Sequence, residues 1–187
     1  RDRKFQAILP LRGKILNVVK GFEKMTDSKV IVDVLKAVGF DPKVDFAKSR
    51  RVGKVYLLTD PDPDGSHISC LLMGLLYTVV PSLFNEGRMY DVDAPLYSYN
   101  DVKIRAYGSS LAELKTKVGK GFNIDRVVRM KGWGEAEPVQ LNELAFNPKT
   151  RKVVQISTAK AAESKKAMMA ILGEGSEFRK NLSGLSG

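Results

Sequence analysis

Three aspartates stand at alternate positions in one short turn, Asp60, Asp62 and Asp64. In extended backbone this spacing aims Asp60 and Asp62 to similar sides. Carboxylates this close repel one another unless they are protonated or bind a cation. Oxygen ligands suit Mg²⁺, for which Mn²⁺ or Ca²⁺ can substitute. Because Pro61 and Pro63 stiffen the turn, less ordering entropy is lost on binding. The turn is therefore a candidate divalent-metal site.

Three other interpretations of this turn compete with a metal site for phosphoryl transfer. The first is a solvated turn in which Asp64 or Ser66 caps the following helix. The second is a haloacid-dehalogenase-like phosphatase with Asp62 as nucleophile, which also needs a later lysine and an acidic pair at a strand end. The sequence offers no convincing pair of that kind. The third, a calcium loop, is rejected because Leu71 stands where a bidentate glutamate belongs.

The elements around the turn predict an α/β fold. The stretch KVYLLTD, residues 54–60, predicts a central strand buried on both faces, and an apolar helix is expected from about Ser66. Further strands are predicted at 88–92, 127–130 and 151–156, with a hairpin turning at Asn100 and Asp101, and helices at 28–38, 110–118, 138–146 and 159–172. This alternation predicts a mainly parallel sheet flanked by helices, with the working site at the carboxyl ends of its strands.

Near the start of the chain, Pro10 and Gly13 are expected to break an apolar stretch into strand, turn and a second strand or loop.

The chain of 187 residues carries 31 Lys and Arg against 21 Asp and Glu, a net charge of +10. This charge favours a polyanionic partner, and nucleic acid over a membrane.

One cysteine, Cys70, excludes an internal disulfide and a cysteine-rich zinc site. We expect a buried thiol and a reducing, cytoplasmic location. The charged start gives no signal-peptide pattern, and the longest apolar run, 68–84, is too interrupted to span a membrane.

Four segments resemble the B subunits of type IIA DNA topoisomerases of the gyrase or topoisomerase IV type. They are QAILPLRGKILNV at 6–18, TDPDPDGSHI at 59–68, RMYDVDAPLY at 88–97 and KGWGEAEPVQLNELAFNPKTRKVVQIS at 131–157. Each segment alone is moderately specific, but four in the family's order cover most of the chain. The resemblance therefore decides between the interpretations of the acidic turn in favour of a metal site acting on nucleic acid.

This resemblance implies a Toprim domain, a Rossmann-like fold, over residues 1–130, with a short insert at about 100–125. A small α/β tail at 131–187 would carry the KGWGE segment and C-terminal helices. The full enzyme would break, pass and rejoin DNA with ATP. Its implied partners are double-stranded DNA, a tyrosine-bearing A subunit and an ATPase domain of the same polypeptide. The family's catalytic glutamate would precede Arg1, so the isolated chain is expected to be inactive.

The resemblance also implies roles for individual residues. Asp60 and Asp62 would hold Mg²⁺ at the scissile phosphate with Asp64 in support. The residues that would act on the DNA phosphate are Arg12, Lys14 and Lys131. A non-catalytic DNA-binding or assembly module remains the alternative.

Some positions differ from the residues usual in this family, and some are expected to have a structural role. Pro61 and Pro63 replace residues that are usually not proline. Trp133 stands where the family usually has Leu, and we expect it to pack against its neighbours. His67 is expected to orient the loop.

Overall fold

The computed structural model describes residues 1–18, 21–158 and 161–173 of the chain. Its helices and strands follow one another in this order: α1 (Lys29–Val38), α2 (Phe46–Ser49), β1 (Val55–Leu57), α3 (Pro63–Val79), α4 (Ser82–Asn85), β2 (Met89–Val92), β3 (Tyr97–Asn100), β4 (Arg105–Gly108), α5 (Leu111–Val118), β5 (Val127–Arg129), α6 (Pro138–Leu141), β6 (Val153–Ile156) and α7 (Ala161–Leu172). Short 3₁₀ turns occupy Phe22–Asp27, Gly119–Gly121, Ile124–Arg126 and Trp133–Glu135, and α6 continues as a π-helical turn, Asn142–Phe146. The predicted helices after residues 28, 110 and 138 are confirmed.

The strands form two three-stranded sheets, in the orders β1-β2-β6 and β4-β3-β5. In the second sheet both pairings are antiparallel, with Tyr99 opposite Ala106 and Val127. Within the part of the chain that the structure describes, β1 is therefore an edge strand of its sheet. The prediction of a central strand buried on both faces was wrong: the strand spans three residues, and two of them, Val55 and Tyr56, are half-buried. An unbroken apolar run does not by itself distinguish a central strand from a short edge strand.

Two compact units divide the chain. The first contains Arg1–Gln6, Leu57–Ser66 and Asp91–Val154, and the second contains Ala7–Tyr56, His67–Tyr90 and the described residues from Gln155. In the second unit, buried apolar side chains come chiefly from α1, α3 and α4, among them Ile31, Leu75 and Leu83, none of them measurably exposed. In the same unit, the side chain of Asn17 donates to the carbonyl of Leu172 at 2.7 Å, which fixes the end of α7.

A hairpin insert, residues 97–129, has a small core of its own inside the first unit. Tyr99 and Leu114 are buried at its centre, and Phe122 packs against them. The Ser110 hydroxyl accepts from the Glu113 N–H at 3.1 Å, so α5 starts at the predicted cap. The predicted hairpin is confirmed, although its connection spans residues 101–104. Local contacts therefore build this insert.

Two further expectations were wrong. No strand forms in residues 1–18, where the backbone only turns, with Gly13 at a φ of +78°. An isolated apolar stretch needs a partner strand to become part of a sheet. Cys70 is half-buried and is not enclosed in the core. Among the described residues, no helix is both long enough and apolar enough to cross a membrane.

Candidate metal and phosphate site

The acidic turn begins after β1 and passes directly into α3. Asp62 caps this helix: its carboxylate Oδ1 accepts from the Gly65 N–H at 2.6 Å, and its carbonyl accepts from the Ser66 N–H at 3.0 Å. The helix therefore starts at Pro63, three residues before the predicted start at Ser66. Capping by Asp64 or Ser66 was also wrong. Proline at the first helical position has no N–H to leave unbonded, which favours the earlier start.

Asp60 is held from a distant part of the chain. Its Oδ1 accepts from the main-chain N–H of Trp133 at 2.9 Å, across 73 residues of sequence. The indole Nε1–H of Trp133 donates to the carbonyl of Thr59 at 2.8 Å. The turn and the KGWGE segment, which the sequence separates widely, are thus in direct contact within the first unit.

Two glycines allow this close approach to Asp60. A Cβ at Gly132 would lie 2.7 Å from Oδ1 and 2.8 Å from Cγ of Asp60. At Gly65 a Cβ would collide with the main-chain carbonyl of Asp60. Any side chain at Gly65 would therefore collide with backbone, whereas one at Gly132 would push on a carboxylate that can rotate.

The carboxylates Asp60 and Asp62 suit a divalent cation of the Mg²⁺ type. In the described part of the chain, each uses Oδ1 in a hydrogen bond to an N–H, and Oδ2 accepts none. Both side chains are exposed. No group of three or more Asp, Glu, His or Cys residues able to hold a metal is found among the residues described. Mg²⁺ is commonly bound by one or two carboxylates together with water and substrate phosphates, so a two-carboxylate donor set fits that ion.

The other predicted site residues are distributed over both units. Asp64 lies in the first turn of α3, where its charge favours the helix N-terminus. Lys131 is exposed and directly precedes Gly132, so its backbone lies beside the Asp60 carboxylate. Arg12 and Lys14 flank the exposed turn at Gly13 and belong to the second unit. Their convergence with the aspartates, and the roles of all of these residues, stay predictions.

One buried acidic residue outside the acidic turn was not anticipated. Asp91 lies on β2, and its Oδ1 is buried with no hydrogen-bond partner in the described part of the chain. Burial raises the pKa of its carboxyl, and the neighbouring charge of Asp93 adds to the effect, while a bond from the Val92 N–H opposes it. The available sequence signal was a carboxylate placed among apolar residues of the predicted strand at 88–92. Two of those apolar residues, Met89 and Val92, are buried in the structure.

Comparison with known protein families assigns both parts of the chain. Residues 1–92 match the Toprim domain, and residues 123–182 match the carboxyl terminus of the DNA gyrase B subunit. The class is thus an α/β Toprim domain followed by a gyrase-type C-terminal region.

Curated relatives agree with this class. The chain is 39% identical over 186 residues to the DNA gyrase B subunit of Thermotoga maritima, a match covering 96% of this chain and 29% of that protein. It is 36% identical to the DNA gyrase B subunit of Archaeoglobus fulgidus, covering 97% of this chain and 29% of that protein. Against the DNA topoisomerase 4 B subunit of Haemophilus influenzae the identity is 40% over 165 residues, covering 84% and 26% respectively.

The chain therefore belongs to the family formed by the B subunits of type IIA DNA topoisomerases, of the gyrase and topoisomerase IV type. It spans less than a third of the length of these relatives. The family assignment and the Toprim fold expected from the sequence are confirmed.

Proposed function

We propose that this chain is the part of a B subunit that holds Mg²⁺ and grips the DNA backbone during cleavage by a tyrosine-bearing A subunit. The observation that supports it most is the contact of Asp60 with the KGWGE segment, because it joins a metal-type carboxylate to the segment carrying Lys131. In the full enzyme, an ATPase domain of the same polypeptide would drive strand passage in the cytoplasm.

The residues of the chain would divide the work. Asp60 and Asp62 would each present Oδ2 to the cation, with Asp64 adding negative charge nearby. When bound, the cation would neutralise charge on the scissile phosphate and on the leaving 3′ oxygen. Lys131, Arg12 and Lys14 would fix the DNA backbone and stabilise the charge of the phosphorus centre under attack by the partner's tyrosine.

Binding of the chain to duplex DNA gives a first test. A net charge of +10 should make the contacts mainly to phosphate, so the affinity should fall steeply as salt rises. Fluorescence anisotropy of a labelled duplex at several salt concentrations measures this slope. An affinity that does not change with salt contradicts the proposal.

Reconstitution gives the decisive test. Mixing the chain with an A subunit and the ATPase segment of a B subunit should restore Mg²⁺-dependent plasmid cleavage, and Asp60→Ala with Asp62→Ala should abolish it. Unchanged cleavage by the double variant would favour a non-catalytic DNA-binding or assembly module. Turnover of a generic phosphate ester by the isolated chain would favour the phosphatase, with Asp62 as nucleophile.

A further inference from the structure

Trp133 is tied to the acidic turn by two hydrogen bonds that end on consecutive residues. Its main-chain N–H binds the carboxylate of Asp60, and its indole N–H binds the carbonyl of Thr59. The ring is half-buried. This side chain therefore does more than fill space beside the turn, which was the expectation from the sequence.

The two bonds differ in what they require of residue 133. Any residue except proline can supply the main-chain N–H. The bond to Thr59 needs a side-chain donor on a rigid, extended ring. The indole of Trp133 supplies this N–H donor, and the ring has no hydrogen-bond acceptor of its own. The surrounding segment is only a short 3₁₀ turn, Trp133–Glu135, and the indole bond ties this turn to Thr59, the residue that precedes Asp60.

The position of Gly132 adds a second constraint. Its Cα approaches the carboxylate of Asp60 so closely that a Cβ would lie 3.0 Å or less from both carboxylate oxygens. A small shift of the segment would therefore change the orientation of this carboxylate directly.

We propose that Trp133 is a positioning residue for Asp60. The indole bond to Thr59 fixes the segment so that the main-chain N–H of residue 133 occupies Oδ1, and Oδ2 is left to bind a divalent cation. The inference rests on the proposed function, since it takes Asp60 as a ligand of that cation. Trp133 acts through Asp60 and contacts neither the metal nor DNA in this scheme.

The test is a Mn²⁺ titration of the isolated chain, with free Mn²⁺ counted by electron paramagnetic resonance. Trp133→Phe keeps an aromatic ring without the N–H, and Trp133→Leu removes the ring as well. Asp60→Asn removes the ligand itself. Tyr99→Phe is the matched control, because it deletes another aromatic side-chain bond to a carbonyl, from Tyr99 to Gly121 at 3.1 Å, inside the hairpin insert.

We expect Trp133→Phe and Trp133→Leu to weaken Mn²⁺ binding about three- to tenfold, which corresponds to the net contribution of one ordinary hydrogen bond. Asp60→Asn should abolish the binding, and Tyr99→Phe should leave it unchanged. Thermal unfolding of each variant without metal distinguishes a direct effect on Mn²⁺ binding from a purely structural role of Trp133. If Trp133 only stabilised the fold, its variants would melt earlier but bind Mn²⁺ like the unsubstituted chain, and the inference would be overturned.

The outcomes also separate this inference from the proposed function. Wild-type affinity in both Trp133 variants, with binding lost in Asp60→Asn, overturns only the role of Trp133. No Mn²⁺ binding by the unsubstituted chain overturns both.

A second readout comes from the chain itself, because Trp133 is its single tryptophan. Bound Mn²⁺ is paramagnetic and should quench the emission of Trp133 in the unsubstituted chain and in Tyr99→Phe, and excess Mg²⁺ should restore it. Quenching that persists in Asp60→Asn would place the ion elsewhere and overturn the inference.

Discussion

The acidic turn and the hairpin insert belong to one compact unit, but different forces position their residues. In the insert, Tyr99 and Leu114 are buried, and strands and helix adjacent in sequence pack around them. At the turn, the exposed Asp60 is held by polar contacts with Trp133, 73 residues away. Substitutions in the insert should therefore cost stability and spare the site, whereas substitutions at the turn should disturb the site and cost less stability.

The largest expected effect is that of Leu114→Ala on stability. Leu114 is fully buried in the core of the insert, and truncating such a side chain costs about 3 kcal/mol. Urea denaturation measures the loss, and hydrogen exchange should show it in the amides of β3, β4 and β5. The affinity for Mn²⁺ should not change.

Leu111→Ala is the control for this prediction. Leu111 lies on the same helix but is 41% exposed, so its truncation should cost roughly 0.5 kcal/mol or less. A fall in Mn²⁺ affinity that parallels the loss of stability in Leu114→Ala would show that the insert and the turn are coupled, and that the core of the insert also positions the site.

Gly132→Ala should show the opposite pattern. The new methyl group would meet the Asp60 carboxylate at 2.7 Å, and the carboxylate must rotate to make room. We expect Mn²⁺ to bind about tenfold more weakly, equivalent to roughly 1.4 kcal/mol, with a smaller loss of folding stability. The same Mn²⁺ titration measures it.

Gly134→Ala provides the control, because Gly134 lies in the 3₁₀ turn that Gly132 precedes and a Cβ there meets nothing within 4 Å. It should bind Mn²⁺ normally. Equal losses in both alanine variants would mean that backbone freedom, and not the space beside Asp60, governs the site.

The contrast also explains which features the sequence revealed. The start of α5 was predictable because Ser110 and Glu113 form a local capping pattern. The start of α3 was predicted three residues late, because Asp62, Asp64 and Ser66 can each cap a helix. Of the local features, only Pro63 at the first helical position favours the earliest of the three starts.

The bond between Trp133 and Asp60 could not be predicted from local pattern at all. Resemblance to a family placed Lys131 near the aspartates, but nothing in the sequence states that the indole reaches Thr59. The edge position of β1 was missed for a related reason, since an apolar run records burial and not the number of neighbouring strands.

Glu113→Gln should have a smaller effect on stability, and one that depends on pH. A hydrogen bond from Lys117 chiefly lowers the pKa of Glu113 to about 2, and the Ser109 N–H and the charge of Lys152 contribute. Because the folded pKa lies below the unfolded value, the stabilisation is complete above about pH 4.5 and is lost as the pH falls towards 2. At pH 7 we expect a loss of about 1 kcal/mol, since the group is partly exposed.

Urea denaturation of both proteins between pH 7 and pH 2.5 checks this expectation. The difference between them should shrink over the acidic part of the range. Asp125→Asn, an exposed substitution in the same insert, should leave stability within about 0.5 kcal/mol at every pH. A difference in the free energy of unfolding that stays constant from pH 7 to pH 2.5 would mean that ionisation of Glu113 contributes nothing to stability.

The last expected effect is a small gain in stability, that of Asp91→Asn. Burial raises the pKa of the Asp91 carboxyl and Asp93 raises it further, so ionisation of Asp91 opposes folding. Because the pKa of Asp91 is higher in the folded state than in the unfolded state, the protonated carboxyl stabilises the fold. This contribution is complete at pH values below the unfolded pKa and is lost as the pH rises through the folded pKa. The variant should therefore be about 0.5 kcal/mol more stable at neutral pH, because an uncharged amide is easier to bury, and this advantage should vanish near pH 4.

Asp93→Asn tests the cause of the Asp91 effect, because Asp93 is exposed and acts only through its charge. It should reproduce a small part of the gain. Urea denaturation at pH 4 and pH 7 measures both variants, and a loss of stability in Asp91→Asn at pH 7 would contradict the prediction. Such a loss would mean that the ionised carboxylate is stabilised by its surroundings, and that β2, like the turn, depends on a polar contact.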